Sequence, residues 1–224
     1  SPCVIFIHGG GFVIGDLEVY DALCTEIAHH LDLPVVSVDY RLAPEHPFPA
    51  APEDCYAGVC WVFEHAADLG MDTSNIGLMG VSAGGGLALA VAWMSRDRKG
   101  PALNYLLPIY PMIDDRHKTA SSHEVIDIGI WDRAGSIEAW DWYLGGAEAD
   151  AYAAPARAED LSGLPPTYID VGDLDLFRDE DITIAQRLSA AGVPVEFHLW
   201  TGAYHASENF APNARLSKRI WQTR

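Results

Sequence analysis

Positive charge is scarce in this sequence. Its 224 residues contain 14 Lys and Arg against 32 Asp and Glu, which gives a formal net charge of −18 at pH 7. Proteins that bind nucleic acids or anionic membrane surfaces neutralise phosphate groups with basic patches. The composition therefore argues against both kinds of partner, and solubility is the simplest explanation of the acidic excess.

Long apolar runs and cysteine motifs are missing as well. No stretch approaches the roughly 18–20 apolar residues that a membrane-spanning helix needs. The four cysteines form no C-x-x-C pair and no zinc-like spacing, and no calcium-loop pattern occurs, so we expect no metal site. Four free thiols favour a reducing compartment, from which we expect a cytoplasmic protein.

An initiating methionine is also lacking. The sequence begins at Ser1 and runs almost at once into an apolar strand pattern, so we expect the N-terminal part of a longer chain to be missing. The remaining length suits one α/β domain covering residues 1–224.

Short apolar, β-branched runs alternate with longer helical patterns along the chain. This alternation predicts a mostly parallel sheet covered by helices on both faces. Strands are predicted at residues 4–7, 34–40, 76–79, 105–110, 167–171 and 195–200. Helices are predicted at about 18–32, 50–69, 83–97, 179–191 and 208–222. Residues 112–150 interrupt the rhythm without a clear strand, and we interpret them as a cap-like insertion over one end of the sheet.

A single G-x-S-x-G motif surrounds Ser82. It follows a predicted strand and precedes a predicted helix, which is the context that a nucleophile elbow requires. The small residues allow a strained turn that exposes the serine hydroxyl. The pattern therefore predicts Ser82 as a nucleophile rather than as a simple helix cap.

Three consecutive glycines follow the first predicted strand. Their main-chain N–H groups can approach a ligand closely because no side chain intervenes. We expect the amides of Gly9 and Gly10, with that of Ala83, to form an oxyanion hole. Gly11 and Phe12 beside them, and Trp131 in the insertion, are predicted to contact substrate. No G-K-[ST] or G-x-G-x-x-G pattern supports a nucleotide site instead.

One histidine of nine stands in a catalytic context. His205 follows the last predicted strand and lies downstream of both the serine and a cluster of aspartates. The order Ser, Asp, His is that of α/β-hydrolases. The acid that orients His205 stays open at this point between Asp173 and Asp175, which both follow the fifth strand.

Taken together, the motifs resemble the hormone-sensitive-lipase-like esterases of the α/β-hydrolase fold. The motifs that carry the resemblance are H-G-G-G-F at residues 8–12, D-Y-R-L-A-P-E at 39–45, G-V-S-A-G-G at 80–85 and D-L-F-R-D-E at 175–180. The resemblance implies hydrolysis of carboxylic esters with short acyl chains and no cofactor. It also selects Asp175 as the acid of the triad. Relatives of this kind carry some 70–90 residues before the H-G-G-G strand, which are absent here.

The predicted chemistry is two-step acyl transfer from a small-molecule ester. His205 takes the proton of Ser82 as its oxygen attacks the carbonyl, and water then releases the acid. Amide or formamide cleavage on the same machinery is one alternative. A non-catalytic small-molecule receptor on this fold is another, although such receptors lack the histidine. A homo-oligomer is left open.

Overall fold

One parallel sheet of six strands organises the chain in the computed structural model, which describes all 224 residues. Every neighbouring pair of strands runs parallel, in the order β2-β1-β3-β4-β5-β6. The strands are β1 (Cys3–Ile7), β2 (Val35–Val38), β3 (Ile76–Val81), β4 (Tyr105–Ile109), β5 (Thr167–Gly172) and β6 (Val195–Trp200). All six predicted strands are confirmed, with ends that differ by a few residues.

Helices connect the strands and cover both faces of the sheet. They are α1 (Leu17–Leu31), α2 (Ala50–His65), α3 (Ala83–Asp97), α4 (Ser121–Glu124), α5 (Arg133–Leu144), α6 (Arg178–Ala190), α7 (Ser207–Phe210) and α8 (Arg215–Thr223). The prediction of one helix over 208–222 is wrong, because two helices flank Pro212, which cannot donate a helical hydrogen bond. None of these helices has the length and apolar character needed to cross a bilayer.

The strands bury side chains on both faces, as their near-continuous apolar sequences predict. In β1, Ile5 and Ile7 belong to a core cluster of 38 residues that α2, α3 and α6 cover. Phe6 points to the other face, into a cluster of seven residues that includes Ile27 of α1. The larger cluster makes α3 the central helix, and 13 of its residues are buried.

The region between β4 and β5 contains no strand, as predicted. It carries α4 and α5. Trp140 and Tyr143 of α5 are fully buried in the main core, whereas Ile137 is 39% exposed. The amphipathic helix α5 therefore directs Trp140 and Tyr143 into the core and leaves Ile137 partly exposed to solvent.

Candidate active site

The site is built at the carboxyl edge of the sheet, starting with the turn between β3 and α3. Ser82 occupies that turn with φ of 55° and ψ of −120°, a left-handed conformation that a non-glycine residue adopts only under constraint. Its N–H donates to Ile109 O and its carbonyl accepts from Met112 N, which hold the turn from both sides. The turn has the strand-turn-helix geometry that a nucleophile elbow requires.

The glycines of the motif allow the helix to approach the sheet. A Cβ on Gly84 would lie 2.2 Å from the carbonyl oxygen of Ile7, and one on Gly80 would lie 2.0 Å from that of Gly84. Both contacts are with backbone atoms, which cannot move aside. The motif is therefore a packing requirement of the elbow as well as a chemical signature.

His205 lies in the turn after β6 and reaches Ser82 across the edge of the sheet. Its Nε2 is 3.0 Å from Ser82 Oγ, and its Nδ1 is 2.8 Å from Asp175 Oδ2. A carboxylate only accepts hydrogen bonds, so Nδ1 donates to Asp175 and Nε2 is free to accept from the serine hydroxyl. The three side chains form one hydrogen-bonded line in which all three residues are buried.

The two neighbouring aspartates differ in what they hold. Asp175 is 1% exposed, and its second oxygen accepts from the N–H of Phe177 at 3.0 Å. Asp173 accepts from the N–H of Gly202 at 2.7 Å and makes no contact with His205. Asp175 is therefore the acid that lies in line with His205. Asp173 instead holds the loop that precedes the histidine.

The glycine loop after β1 faces the serine, but its three glycines are not equivalent. Gly10 (φ 118°) and Gly11 (φ 61°) line the cavity at Ser82, and neither N–H donates a backbone hydrogen bond within the loop. Gly9 lies behind them, where its would-be Cβ is 3.0 Å from the Tyr20 hydroxyl. Burial raises the pKa of Tyr20, and a hydrogen bond with the backbone of Gly9 opposes this.

These positions favour Gly10 and Gly11 over Gly9 as donors toward a bound oxyanion. Ala83 is the first residue of α3, so its N–H has no partner within the helix. Sequence reasoning placed Gly11 among the substrate contacts and Gly9 in the oxyanion hole, because the motif does not show which of the three glycines line the cavity.

Two cavities meet at the histidine. The larger has a volume of about 630 Å³ and includes Ser82, His205, Tyr20 and Tyr110 in its walls. The smaller, of about 340 Å³, is lined mainly by apolar side chains such as Leu174 and Leu176. Trp131 belongs to both walls, and its ring packs so closely on Gly11 that a Cβ there would lie 2.2 Å from it.

Phe12 requires a correction. It is 1% exposed, does not line either cavity, and stacks on Tyr143 at a centroid distance of 4.0 Å. Its φ of 69° turns the ring away from the loop and into the core. Phe12 therefore anchors the glycine loop on α5 instead of contacting substrate as predicted.

Several residues of the site were missed by the sequence reasoning. Tyr110 follows the last residue of β4 and packs edge-on against the His205 ring, with centroids 4.8 Å apart. The rule that strand ends carry the chemistry could have identified it. Glu208 and Trp221 also line the larger cavity, but no local pattern marks them.

Comparisons with known proteins identify the family of this chain. A family model of the α/β-hydrolase fold matches residues 4–209. Esterase LipI of Mycobacterium tuberculosis is 44% identical over 201 residues, which cover 88% of this chain and 63% of the relative. An arylesterase of Saccharolobus solfataricus is 33% identical over 226 residues, covering 97% of this chain and 71% of the relative. The chain thus spans a little under two thirds of LipI.

Solved structures give the same answer. A bacterial heroin esterase superposes with a TM-score of 0.95 at 42% identity, covering 98% of this chain and 71% of that one. An esterase of Pyrobaculum calidifontis superposes with a TM-score of 0.93 at 37% identity, covering 98% and 73%. With the elbow, the parallel sheet and these relatives in agreement, the chain belongs to the α/β-hydrolase family, in its hormone-sensitive-lipase-like group of carboxylesterases.

Proposed function

We propose that this chain is the catalytic part of a serine carboxylic-ester hydrolase acting on short-chain acyl esters. The observation that carries the proposal is the continuous hydrogen-bonded line from Ser82 through His205 to Asp175. It rests on an elbow that aims the serine into a cavity large enough for a small ester. Relatives named as esterases support the same reaction class.

The proposed mechanism begins with proton transfer from Ser82 Oγ to His205 Nε2 as the oxygen attacks the ester carbonyl. Asp175 keeps Nδ1 protonated and stabilises the charged imidazole that results. The carbonyl oxygen becomes negative in the tetrahedral intermediate, and we assign its stabilisation to the N–H groups of Gly10 and Ala83, with Gly11 in place of Gly9. Removal of one such donor costs roughly 2.7–4 kcal/mol of transition-state stabilisation.

The charged imidazole gives its proton to the departing alcohol, which completes the acylation of Ser82. In the second half reaction water attacks the acyl carbonyl while His205 takes its proton. The imidazole then returns that proton to Ser82 Oγ as the bond between Oγ and the acyl group breaks and the carboxylic acid leaves. No step calls for a metal or cofactor. The residues between β4 and β5, with Trp131 at the junction of the two cavities, are proposed to cap the site within a single domain.

The four cysteines are all free, which fits the proposal that the protein works in a reducing compartment such as the cytoplasm.

Amide cleavage would use the same groups, so the substrate bond needs a direct test. We expect hydrolysis of p-nitrophenyl acetate with far slower turnover of the matched anilide, p-nitroacetanilide. Diisopropyl fluorophosphate should label Ser82, as identified by peptide mass spectrometry. Faster anilide than ester hydrolysis would assign the chain to amidases. Binding of small esters without turnover or labelling would support a receptor.

A further inference from the structure

A buried charged cluster lies behind the larger cavity, outside the residues that carry the proposed chemistry. Arg224 donates from Nε to Asp170 Oδ2 at 2.7 Å and from a terminal nitrogen to Asp170 Oδ1 at 3.0 Å. Its other terminal nitrogen lies 2.5 Å from Glu208 Oε1. The three side chains are between 0 and 4% exposed, so this is a desolvated cluster and not a surface ion pair.

Asp170 of this cluster has further hydrogen-bond partners besides Arg224. Asp170 Oδ2 accepts further hydrogen bonds from Trp200 Nε1 and from the Tyr168 hydroxyl, each at 3.1 Å. Planar two-point pairing between a guanidinium and a carboxylate fixes orientation as well as distance. Arg224 is therefore held in one place relative to β5.

Two routes lead from Arg224 to the catalytic histidine. The first passes through Tyr110, because the guanidinium lies over its ring at 5.2 Å and the edge of that ring packs on His205. Tyr110 has a φ of 33°, and its N–H donates to Asp170 O at 2.8 Å. The pKa of Tyr110 is raised by burial and by the neighbouring carboxylate of Glu208.

The second route passes through the backbone. Glu208 lies in α7, three residues after His205, and its carboxylate joins that short helix to Arg224, which directly follows α8. A four-residue helix has little stability of its own. The ion pair with Arg224 therefore helps to hold α7, and with it the turn that presents His205 to Ser82.

We propose that Arg224 is a positioning residue for His205, acting through the ring of Tyr110 and through Glu208. It touches no reacting atom. Its role is to keep the imidazole, which lies between Tyr110 and Phe177, in line with Ser82 and Asp175. This inference rests on the proposed ester hydrolysis for its steady-state readout, but labelling of the serine tests it separately.

Four variants on the C-terminal part of the chain test the proposal. Arg224→Gln removes the two-point pair, and Arg224→Lys keeps the charge without the planar fork. Arg219→Gln is the matched control, because Arg219 lies on α8, the helix that Arg224 directly follows, and over the ring of Trp200 at 5.2 Å, but pairs with no carboxylate. Glu208→Ala is the fourth variant, which cuts the link to α7 while Arg224 still pairs with Asp170.

We expect kcat for p-nitrophenyl acetate to fall about 10- to 100-fold in Arg224→Gln, because small misplacements of a catalytic group cost rates of this order. KM should change less than threefold, Arg224→Lys should recover part of the loss, and Arg219→Gln should match the unaltered chain. Glu208→Ala should lower kcat in the same direction. The rate at which diisopropyl fluorophosphate labels Ser82 should fall in parallel in every affected variant.

The outcomes separate the two proposals. If the unaltered chain is labelled but hydrolyses no ester, the proposed function fails, and the labelling rates of the variants still decide the role of Arg224. If folded Arg224→Gln and Glu208→Ala keep the kcat and labelling rate of Arg219→Gln, the positioning role is refuted and the cluster only stabilises the fold. Should Arg224→Gln not fold, Glu208→Ala and Arg224→Lys carry the same decision.

Discussion

The two halves of the hydrogen-bonded line from Ser82 through His205 to Asp175 are held by different means. The Ser82 elbow is fixed by the backbone of adjacent strands, and its glycines leave no room for any side chain. The His205 turn follows β6, the last strand of the sheet, and is fixed by side chains from distant parts of the chain: Asp173, Asp175 and Arg224. We therefore expect the Ser82 elbow to tolerate almost no added side-chain volume. Loss of the contacts that hold the His205 turn should instead lower activity by degrees.

Removal of the Ser82 hydroxyl, the proposed nucleophile, is expected to lower kcat more than any other change on either side of the line. Ser82→Ala should lower kcat for a short p-nitrophenyl ester by about 10⁶-fold, the size seen when a triad serine is deleted in a serine protease. Circular dichroism should be unchanged, because alanine fits the space that serine leaves. A folded variant with turnover near that of the unaltered chain would exclude Ser82 as the nucleophile.

Substitution of the two aspartates tests how His205 is held. Asp175→Asn should lower kcat about 10⁴-fold, because the amide can donate to Nδ1 and favour the wrong tautomer of His205. Asp173→Asn is the control with the same chemistry two residues away, and it should cost less than tenfold, since its amide oxygen can still accept from Gly202. A reversed ranking of the two variants would show that Asp173 orients the histidine.

The elbow can be broken through its shape alone. Gly84→Ala would place a Cβ 2.2 Å from one backbone carbonyl and 2.4 Å from another, so we expect a loss of more than about 4 kcal/mol in the free energy of unfolding. Gly77→Ala in the same strand-helix unit is the control, because its Cβ would have no neighbour closer than 3.7 Å. Urea unfolding of the two variants measures the contrast, and similar midpoints would contradict it.

A smaller effect concerns a buried acid at the start of α6. Asp181 is fully buried, neither carboxylate oxygen has a partner, and burial followed by repulsion from Glu180 raises its pKa well above the usual value. The folded chain therefore retains a proton that the unfolded chain releases near pH 4, so this group lowers stability as the pH rises above that point.

Asp181→Asn should remove the decrease in stability that ionisation of Asp181 causes as the pH rises. We expect the decrease in unfolding free energy between pH 4 and pH 8 to shrink by more than about 1 kcal/mol, since one pKa unit corresponds to 1.36 kcal/mol. Asp54→Asn should act with the opposite sign, because the hydrogen bond from Arg41 lowers the pKa of Asp54 and stabilises the fold at higher pH. Parallel pH profiles for Asp181→Asn and the unaltered chain would mean that Asp181 finds a partner.

The smallest effect concerns the outer edge of the sheet. β2 pairs only with β1, so one side of Val35–Val38 has unpaired backbone groups of the kind that invite association between chains. We expect the chain to self-associate as its concentration rises. Sedimentation velocity over a range of concentrations checks this, and a monomer over the whole range would refute it.

Much of the fold and of the site follows from sequence because the signals are local. The apolar runs predict all six strands, and the spacing around Ser82 predicts the elbow from steric need. His205 is singled out by its place after the last strand. Residues of this kind need only their immediate neighbours to be recognised.

What only the tertiary structure decided depends on contacts between distant residues. The residues alone left Asp173 and Asp175 open, and the family resemblance selected Asp175. The physical reason appears only in the structure, where Asp175 is the carboxylate that reaches Nδ1 of a histidine 30 residues away. Phe12 lies in the core, where it stacks on Tyr143, and it is Gly10 and Gly11 rather than Gly9 that line the cavity. The Arg224 cluster has no sequence signature at all, because its members come from β5, from α7 and from the residue that follows α8. Local chemistry identifies which groups can react, but packing across the fold determines which of them meet.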